Sequence, residues 1–584
     1  MIDFRNTNTL WSSILVETWQ YLGLTTAVIC PGSRSTPLTI AFANSKVEAI
    51  SILDERSAAF FALGIAKKTG LPTAVVCTSG TAGANFFPAI IEAKESQIPL
   101  LILTADRPPE LRECHAGQAI DQVKLYGNYP KWQAELALPS EEIKMLEYLR
   151  QTAIYAWERS LFPSPGPVHI NIPFRDPLTP ILNLATEALK SQFEPEDFFA
   201  GIEPLALTNS RQDANIININ YVIKQWQNCD IGIIIAGIAQ PQFPEAYCRA
   251  IAHLSQTLGW PVLAEGLSPL RNYAKLNPYL ISTYDLILRN PQITQKLTPK
   301  FVIQIGELPI SKNLRTWLED TQPKRWIIDP SDHNFDPLHG KTSHLRTSIE
   351  YLAFQLVGEK FIVFKSSEYL QLWCNAEEKI RKAIDQKMAT INNIVEPKAA
   401  WLISQILPTA TPIFIANSMP VRDVEFFWVP NNSALRPFFN RGANGIDGTL
   451  STALGIAYRH QSSVMLTGDL ALLHDTNGFL LNNKFIGHLT IILINNNGGG
   501  IFEMLPIAKF DPPFEEFFAT PQNINFSQLC ATYGVEHQII ETWEQLKQQL
   551  NPLPSSGIRV LELPTNRQKD AQWRQDNLSK FSSV

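Results

Sequence analysis

Short runs of Val, Ile and Leu alternate with amphipathic stretches of helical period along the whole chain. The runs are only strand-length, and the turns after them are rich in Gly, Pro, Ser and Asp. This alternation is typical of parallel strands that are covered by helices on both faces. We therefore predict an α/β protein with three doubly wound parallel-sheet domains.

The apolar runs fall into three sets. The first set predicts strands at 26–30, 49–53, 73–77, 100–104 and 168–172. The second set predicts strands at 231–235, 260–263, 301–305 and 326–328, and the third at 412–415, 464–466, 489–494 and 559–563. A proline-rich linker follows the first set, and a charged helix precedes the third. We expect domains at 1–183, 200–365 and 385–584.

Length and composition narrow the class of protein. At 584 residues the chain exceeds the roughly 250–300 residues at which one hydrophobic core stops growing. Its 45% hydrophobic and 18% charged residues are those of a globular protein and exclude disorder for most of the chain. A net charge of −6 argues against nucleic acid as a partner.

Cysteine usage and hydropathy bear on location. The seven cysteines include no C-x-x-C pair, which indicates reduced thiols as in the cytosol. The N-terminal segment lacks the charged and apolar regions of a signal peptide. The longest apolar runs are far shorter than the roughly 20 residues that cross a bilayer. We expect a cytoplasmic protein that does not insert into a membrane.

The most informative motif is TGDLALLHDTNGFLLNNKFIGHLTIILINNNGGGIF, at 467–502. Asp469 follows one predicted strand and Asn496 follows the next, so both lie at the carboxyl edge of a parallel sheet. With the carbonyl of Gly498 they could bind Mg²⁺, which prefers oxygen ligands. A Gly-Asp pair alone is an ordinary tight turn. Joined to Asn-Asn at this spacing, it resembles the motif of thiamine diphosphate enzymes.

Glu55 is the second candidate, within AISILDERSAAFFALGIAKKTG at 49–70. It lies between a predicted strand and an apolar helix, where a carboxyl group is desolvated and its pKa is raised. Thiamine diphosphate chemistry needs such a group, because a carboxyl bound to the pyrimidine N1′ favours the imino tautomer of the cofactor. The alternative is a carboxylate that stabilises the helix N-terminus and is balanced by Arg56.

Five further segments complete a resemblance: CPGSRSTP at 30–37, TSGTAGANFFPAIIEA at 78–93, LTADRPPE at 103–110, NSMPVRD at 417–423 and NRGANGIDG at 440–448. With both motifs above, they resemble the SEPHCHC synthases, a family of thiamine-diphosphate-dependent enzymes in menaquinone and phylloquinone synthesis. The resemblance is dense in the first and third domains and weak in the middle one. Leu470 departs from the Gly-Asp-Gly of the superfamily but matches the Leu of this family.

The resemblance implies an architecture. Members of the family have a pyrimidine-binding domain, a middle domain and a diphosphate-binding domain. They hold the cofactor between the first domain of one subunit and the third domain of its partner. The resemblance therefore implies a homodimer or a dimer of dimers.

The resemblance also implies a cofactor site. The residues assigned to thiamine diphosphate are Glu55, Ser418, Ile446, Gly468, Asp469, Leu470 and Asn496. Glu55 would activate the pyrimidine, and Asp469, Asn496 and the Gly498 carbonyl would bind Mg²⁺ or Mn²⁺. Ser418 would contact the diphosphate. Ile446 would support the bent cofactor, and its alternative is an ordinary core position.

The implied reaction decarboxylates 2-oxoglutarate and adds the remaining succinyl unit to isochorismate. Each substrate carries two carboxylates, so the site needs several fixed cations, preferably Arg for bidentate pairing. The residues assigned to the substrates are Ser33, Arg34, Arg107, Lys312, Arg422, Arg441, Ile501 and Phe502. Gln118 is assigned a catalytic hydrogen bond to developing charge. Any one of these arginines, taken alone, could instead be a solvated surface residue.

The sequence disfavours two alternatives, which are another 2-oxoacid enzyme and a noncatalytic protein with a thiamine diphosphate or dinucleotide-binding fold. Another 2-oxoacid enzyme, such as an acetohydroxyacid synthase or a decarboxylase, would need fewer carboxylate-binding residues. A noncatalytic thiamine diphosphate fold would be expected to lack Glu55 or Asp469, and both are present. A dinucleotide-binding module would open on G-x-G-x-x-G, which the first domain does not contain.

Overall fold

The computed structural model describes residues 2–204, 219–356 and 367–583. Within them it confirms the α/β prediction, because three sheets of six parallel strands each are flanked by helices. One sheet lies inside each of the three predicted domain ranges, while the exact ranges stay predictions. The end of the second range, residue 365, lies outside the described residues.

The first sheet has the strand order β2-β1-β3-β4-β6-β5. Its strands are β1 (Thr26–Ile29), β2 (Glu48–Ser51), β3 (Thr73–Cys77), β4 (Leu100–Asp106), β5 (Trp132–Glu135) and β6 (Pro167–Pro173). The helices of this range are α1 (Thr7–Leu22), α2 (Thr36–Ala43), α3 (Glu55–Thr69), α4 (Thr81–Ala84), α5 (Phe87–Glu95), α6 (Ile143–Leu161), α7 (Leu184–Leu189) and α8 (Pro195–Phe198). The strand order reverses between β1 and β3, which is where ligands bind in open α/β sheets.

The second sheet has the order β12-β11-β10-β7-β8-β9. Its strands are β7 (Gly232–Ala236), β8 (Val262–Ala264), β9 (Leu280–Ile281), β10 (Phe301–Ile305), β11 (Lys324–Ile328) and β12 (Thr342–Leu345). The helices are α9 (Ile219–Gln227), α10 (Pro244–Leu258), α11 (Tyr284–Ile287), α12 (Pro291–Lys296), α13 (Lys312–Thr321) and α14 (Ile349–Leu356). The long helix α15 (Glu368–Ala389) then leads toward the third sheet.

The third sheet has the order β14-β13-β15-β16-β18-β17. Its strands are β13 (Pro412–Ile415), β14 (Arg436–Phe438), β15 (Ser463–Gly468), β16 (His488–Asn495), β17 (Glu536–Ile539) and β18 (Gly557–Pro564). The helices are α16 (Glu396–Ile406), α17 (Met419–Phe427), α18 (Thr449–Ala457), α19 (Asp469–Leu473), α20 (Phe526–Thr532), α21 (Trp543–Leu550) and α22 (Arg567–Ser582). The reversal between β13 and β15 places the turns after these strands together.

The chain forms two compact units. The first contains the described parts of Met1–Thr208, with Asn440–Arg459 and Leu473–Ile486. The second contains the described parts of Asn209–Phe439, with His460–Leu472 and Gly487–Val584. The first sheet therefore lies in one unit, and the second and third sheets lie in the other.

The central strands form the core of each sheet. β3, β4 and β7 are buried at every residue, which explains their continuous apolar sequences. Five strands were missing from the sequence prediction, namely β5, β9, β12, β14 and β17, and all five are edge strands. Among the helices of the described residues, none has both the length and the apolar content that crossing a bilayer requires.

Candidate active site

Asp469 lies at the carboxyl edge of the third sheet. β15 ends at Gly468, and Asp469 begins α19 with only 4% of its surface exposed. Its carboxylate accepts the backbone N–H groups of Leu470, at 2.8 Å, and of Gly498, at 2.7 Å. Burial raises the pKa of Asp469 to about 6, and the two N–H donors oppose this rise. A bound cation at this carboxyl would favour its ionised form.

Asn496 presents an unpaired amide oxygen in the neighbouring turn. Its side chain is buried, and its Nδ2 donates to the Glu396 carboxylate at 2.5 Å. Its Oδ1 has no hydrogen-bond partner among the described residues. A buried polar oxygen is costly unless a ligand or water satisfies it. The amide oxygen and the Asp469 carboxylate therefore fit an oxygen-ligated cation such as Mg²⁺ or Mn²⁺.

Gly498 completes the turn after β16 in a conformation that favours glycine. Its φ is 141°, and a Cβ added there would lie 2.4 Å from the carbonyl oxygen of Ala519. Its N–H points to Asp469, while its carbonyl accepts the N–H of Gly500 at 2.9 Å. The carbonyl retains a second lone pair, and its assignment as a metal ligand stays a prediction.

Ser418 occupies the N-terminus of α17 in a strained backbone conformation, with φ 74° and ψ −131°. Such strain in a residue other than glycine is concentrated at functional sites. The Ser418 carbonyl accepts Nη1 of Arg422, one turn further along the helix, at 2.6 Å. Ser418 was assigned the contact with the diphosphate. The first N–H groups of this nine-residue helix follow it directly, and a helix N-terminus favours an anion.

The C-terminal helix α22 holds the segment that carries Ile501 and Phe502. Its first residue, Arg567, donates from Nε to Glu503 and from Nη1 to the Asn497 carbonyl, each at 3.0 Å. Ile501 and Phe502 are half-buried in a 3₁₀ turn that follows the glycine-rich segment. The helix therefore anchors both ends of the short segment assigned to the substrates.

Glu55 is the first residue of α3 and is half-buried. The preceding Asp54 already caps this helix, because its carboxylate accepts the Ser57 N–H at 2.8 Å. Burial raises the pKa of Glu55, and the negative charge of Asp54 adds to the rise. Because Asp54 supplies the cap, the helix does not need Glu55 as its N-cap, and the activating role of Glu55 stays a prediction.

Asp475 is fully buried beside the start of α3, and sequence reasoning missed it. Its carboxylate accepts the Ser451 N–H at 2.7 Å and the Ser451 hydroxyl at 3.0 Å, and the Ser57 hydroxyl lies 3.4 Å away. Burial raises the pKa of Asp475 to about 6. This side chain joins the start of α18 to the helix turn that begins at Glu55.

Arg34 and Arg107 lie at the carboxyl edge of the first sheet. Arg34 is 6% exposed, and its Nη1 donates to the Phe174 carbonyl at 2.9 Å and faces Asp176 at 3.7 Å. Its Nε has no hydrogen-bond partner in the part of the chain that the structure describes. Burial and the positive charge of Arg107 lower the pKa of Arg34. Neighbouring guanidinium groups with a free donor fit a carboxylate ligand, and the exposed Ser33 lies on the same turn.

Gln118 lies in the loop that Arg107 shapes. Nε and Nη2 of Arg107 donate to the Gly117 carbonyl at 3.0 and 2.8 Å. Gln118 is exposed with φ 57°, and its Cβ lies 3.3 Å from where a Cβ at Gly80 would be. The buried Gln122 accepts the Gly80 N–H at 2.8 Å. The loop thus brings Gln118 against the turn that follows β3.

The loop before α18 carries Arg441 and Ile446, both half-buried. Glu92 fixes this loop, because its carboxylate accepts the N–H groups of Gly442, at 3.1 Å, and of Ala443, at 2.8 Å. Glu92 is itself buried on α5. The anchor was not predicted, since Glu92 is distant in sequence from the loop.

The assigned residues divide between the two units. The first unit contains Ser33, Arg34, Glu55, Arg107, Gln118, Arg441 and Ile446. The second contains Lys312, Ser418, Arg422, Gly468, Asp469, Leu470, Asn496, Gly498, Ile501 and Phe502. Lys312 begins α13 beside the second sheet and is exposed. In the part of the chain that the structure describes, the third-sheet residues therefore lie together, while the assignment of Lys312 stays a prediction.

Comparisons with family models match two parts of the chain. Residues 11–125 match the thiamine pyrophosphate enzyme N-terminal TPP-binding domain. Residues 204–415 match the middle domain of thiamine pyrophosphate enzymes. The two matches together support a thiamine-diphosphate-dependent enzyme, and the domain ranges stay predictions.

Full-length relatives are more specific. The chain is 69% identical over 581 residues to the 2-succinyl-5-enolpyruvyl-6-hydroxy-3-cyclohexene-1-carboxylate synthase of Trichodesmium erythraeum (strain IMS101), covering 99% of each chain. It is 68% identical over 582 residues to the protein of the same name from Gloeothece citriformis (strain PCC 7424), covering 100% of this chain and 99% of that one.

Among solved structures, the benzoylformate decarboxylase from Polynucleobacter necessarius is similar with a TM-score of 0.69. The match covers 95% of this chain and 98% of the decarboxylase, at 15% identity. At that identity the likeness shows the fold alone. Together with the two family-model matches, it confirms the predicted fold of the thiamine diphosphate enzyme type.

Proposed function

Because the chain belongs to the family of thiamine-diphosphate-dependent SEPHCHC synthases, we propose that it decarboxylates 2-oxoglutarate and joins the remaining succinyl unit to isochorismate. The products are CO₂ and 2-succinyl-5-enolpyruvyl-6-hydroxy-3-cyclohexene-1-carboxylate, an intermediate of menaquinone or phylloquinone synthesis. The observation that carries this proposal is the 69% identity over 99% of the chain to a relative of that name.

The cofactor site is proposed from the residues that fit it. When bound, thiamine diphosphate supplies a nucleophilic carbon and an electron sink for the loss of CO₂. Glu55 would hold a proton at the pyrimidine N1′, a task for which a raised carboxyl pKa is suited. Asp469 and Asn496 would hold Mg²⁺ or Mn²⁺ beside the diphosphate, and Ser418 would contact the diphosphate itself. Ile446 would pack against the bent cofactor.

The substrate site is proposed from charge and geometry. The buried Arg34, with its unpaired Nε and its neighbour Arg107, is suited to one carboxylate. Arg422 and Arg441 are assigned to the remaining carboxylates. Gln118 is assigned a hydrogen bond to charge that develops on the substrate. These assignments are expectations of the family, supported by the positions of the side chains at the sheet edges.

The assembly is proposed to be a homodimer or a dimer of dimers, in which Glu55 of one subunit works with Asp469 of its partner. This arrangement follows the family expectation that the cofactor is shared between a first and a third domain. It also agrees with the division of the assigned residues between two compact units. A cytoplasmic location is proposed with it.

The test is a coupled assay with the purified protein, thiamine diphosphate, Mg²⁺, 2-oxoglutarate and isochorismate. We expect CO₂ release and an adduct whose mass equals isochorismate plus the succinyl unit, followed by mass spectrometry. Pyruvate in place of 2-oxoglutarate is the control donor, and it should react poorly because it lacks the distal carboxylate. Equal use of pyruvate, with no adduct, would replace this proposal by a general 2-oxoacid decarboxylase.

A further inference from the structure

The orientation of the Asn496 amide is set by one neighbour. A Glu carboxylate accepts hydrogen bonds and donates none, so Glu396 can face only the NH₂ end of that amide. The Nδ2 to Oε1 distance is 2.5 Å, and Glu396 is 2% exposed. The Oδ1 end must then face the other way, and there it has no partner in the described chain.

Glu396 is in turn held by Arg574, on α22. Nη2 of Arg574 donates to Oε2 of Glu396 at 2.6 Å, and Arg574 is 1% exposed. Oε2 of Glu396 is thus held by Arg574, while Oε1 accepts from Asn496 and, at 3.4 Å, from the Thr565 hydroxyl. A buried, charge-assisted pair of this kind has one low-energy geometry, which restrains the glutamate.

Arg574 also reaches the helix that carries Arg422. Its Nε and Nη2 donate to the two oxygens of Asp423 on α17 at 2.8 and 2.5 Å. Asp423 directly follows Arg422. One buried guanidinium therefore links the turn of Asn496, through Glu396, to the helix that carries Arg422. The three residues of this cluster, Glu396, Asp423 and Arg574, come from three separate helices.

We propose that Glu396 and Arg574 are positioning residues that fix the Asn496 amide with Oδ1 toward the bound divalent cation. The inference rests on the proposed function, because the cation is the one that accompanies thiamine diphosphate. Residues that orient a metal ligand from behind typically change metal affinity by about 10–100-fold when they are altered. Neither residue is among those assigned to the substrates or the cofactor.

The first variant is Glu396→Gln, which keeps the size of the side chain but can present either oxygen or NH₂ to Asn496. The amide of Asn496 is then free to turn its NH₂ end toward the cation. We expect the affinity for Mg²⁺, titrated by calorimetry in the presence of thiamine diphosphate, to fall about 10–100-fold. The matched control is Asp336→Asn, which removes a buried carboxylate charge beside Arg325 in the second sheet. The control should leave the affinity unchanged.

A second background makes the test independent of stability. Asn496→Asp replaces the amide by a carboxylate, so the metal ligand no longer depends on which end of an amide faces the cation. The new carboxylate at position 496 would, however, face the Glu396 carboxylate and be repelled by it. Glu396→Gln in this background replaces the repulsion with a hydrogen bond, and it should therefore strengthen Mg²⁺ binding. The positioning role thus predicts opposite signs for the same substitution in two backgrounds. A merely structural role predicts weaker binding in both, and that result would overturn the inference.

Two further outcomes are informative. If Glu396→Gln does not fold, Glu396→Asp keeps the charge beside Arg574 but shortens the reach to Asn496. It should weaken Mg²⁺ binding in the folded protein, and wild-type affinity would overturn the inference.

A wild-type chain that binds no Mg²⁺ with thiamine diphosphate would overturn the proposed function as well. A wild type that binds it, with Glu396→Gln unchanged, would overturn only the positioning role.

Discussion

Burial acts in the same direction on two carboxyl groups that are proposed to do different work. It raises the pKa of the half-buried Glu55 and, to about 6, that of the nearly enclosed Asp469. A divalent cation would return Asp469 to its charged form, because the ion interacts only with the carboxylate. The pyrimidine ring would instead exchange a proton with the Glu55 carboxyl, whose pKa burial raises. The partner of each group, and not its burial, decides its role.

Replacing Glu55 by glutamine separates activation from binding. The amide keeps the size of the carboxyl but cannot exchange a proton with the pyrimidine N1′. We expect Glu55→Gln to bind thiamine diphosphate with near-native affinity while the rate of product formation falls by about 10²–10⁴-fold. Exchange of the cofactor C2 proton, followed by quenched-flow NMR, measures the affected step. Exchange at the wild-type rate would return Glu55 to the role of a helix-start carboxylate.

The residues that could be predicted are those in contiguous loops after strands. Asp469 and Asn496 each follow a clear apolar run, so their shared sheet edge follows from topology. Glu396 and Arg574 are 178 residues apart and meet only in the fold. Arg574 also lies in a helix of polar sequence, RQKDAQWRQDNLSKFS, where nothing distinguishes a buried arginine from a solvated one. Sequence alone therefore gave the candidate ligands but not their supports.

At the scale of elements, α3 and α18 are packed with their backbones in contact. A Cβ added at Gly64 of α3 would lie 2.1 Å from the Thr452 carbonyl oxygen. A Cβ at Gly455 of α18 would lie equally close, 2.1 Å, to the Phe61 carbonyl oxygen. Glycine is required at both positions because no side chain fits between the helices.

The prediction for this contact is that Gly455→Ala destabilises the protein. Relative to glycine, alanine stabilises an isolated helix by about 1 kcal/mol. Overpacking of its Cβ against the facing helix should cost about 1–3 kcal/mol beyond that gain. Scanning calorimetry should show a lower unfolding temperature. The control is Gly117→Ala, where an added Cβ meets nothing within 4 Å. An unchanged or higher unfolding temperature for Gly455→Ala would contradict the close approach of the helices.

Asp475, between the starts of α3 and α18, gives a pH-dependent prediction. Its pKa is raised from an ordinary 3.8 to about 6, so folding favours its protonated form. The stabilisation is complete below its unfolded pKa and is lost as pH rises through its folded pKa. Asp475→Asn cannot ionise, and it should gain stability relative to wild type between about pH 4 and pH 7, by roughly 3 kcal/mol at most. Calorimetry of both proteins across this pH range measures the difference in their free energies of unfolding. A difference that does not change with pH would contradict the raised pKa of Asp475.

The strands that the sequence did not predict all lie at sheet edges, although the edge strand β2 was predicted. Internal strands pair on both sides and are covered on both faces, which selects continuous apolar runs such as GIIIA in β7. Edge strands leave one side to water, and their sequences are mixed, such as WQAE in β5 and EHQI in β17. β14 contains Pro437, which an edge strand tolerates. The missed strands therefore share one physical cause.

At the scale of the whole molecule, the proposed functional groups form two incomplete sets. The first unit has Glu55 and the loop of Ile446, whereas the second has Asp469, Asn496 and Ser418. Neither set contains both the group assigned to the pyrimidine and the groups assigned to the metal and diphosphate. The family expectation supplies the missing half from a second copy, and this can be tested by exchanging subunits.

The last prediction is complementation between two inactive variants. Asp469→Ala should lose Mg²⁺-dependent cofactor binding, and Glu55→Gln should bind the cofactor without turning over. In a mixed dimer with shared sites, one of the two sites carries both substitutions and is inactive. The other site pairs the intact Glu55 of the Asp469→Ala subunit with the intact Asp469 of the Glu55→Gln subunit, so it is a wild-type site. Random pairing then restores about a quarter of the wild-type rate from an equal mixture after subunit exchange. Each variant mixed with itself is the control. If each site were built within one subunit, every site would carry one defect, and the mixture would stay as inactive as its parts.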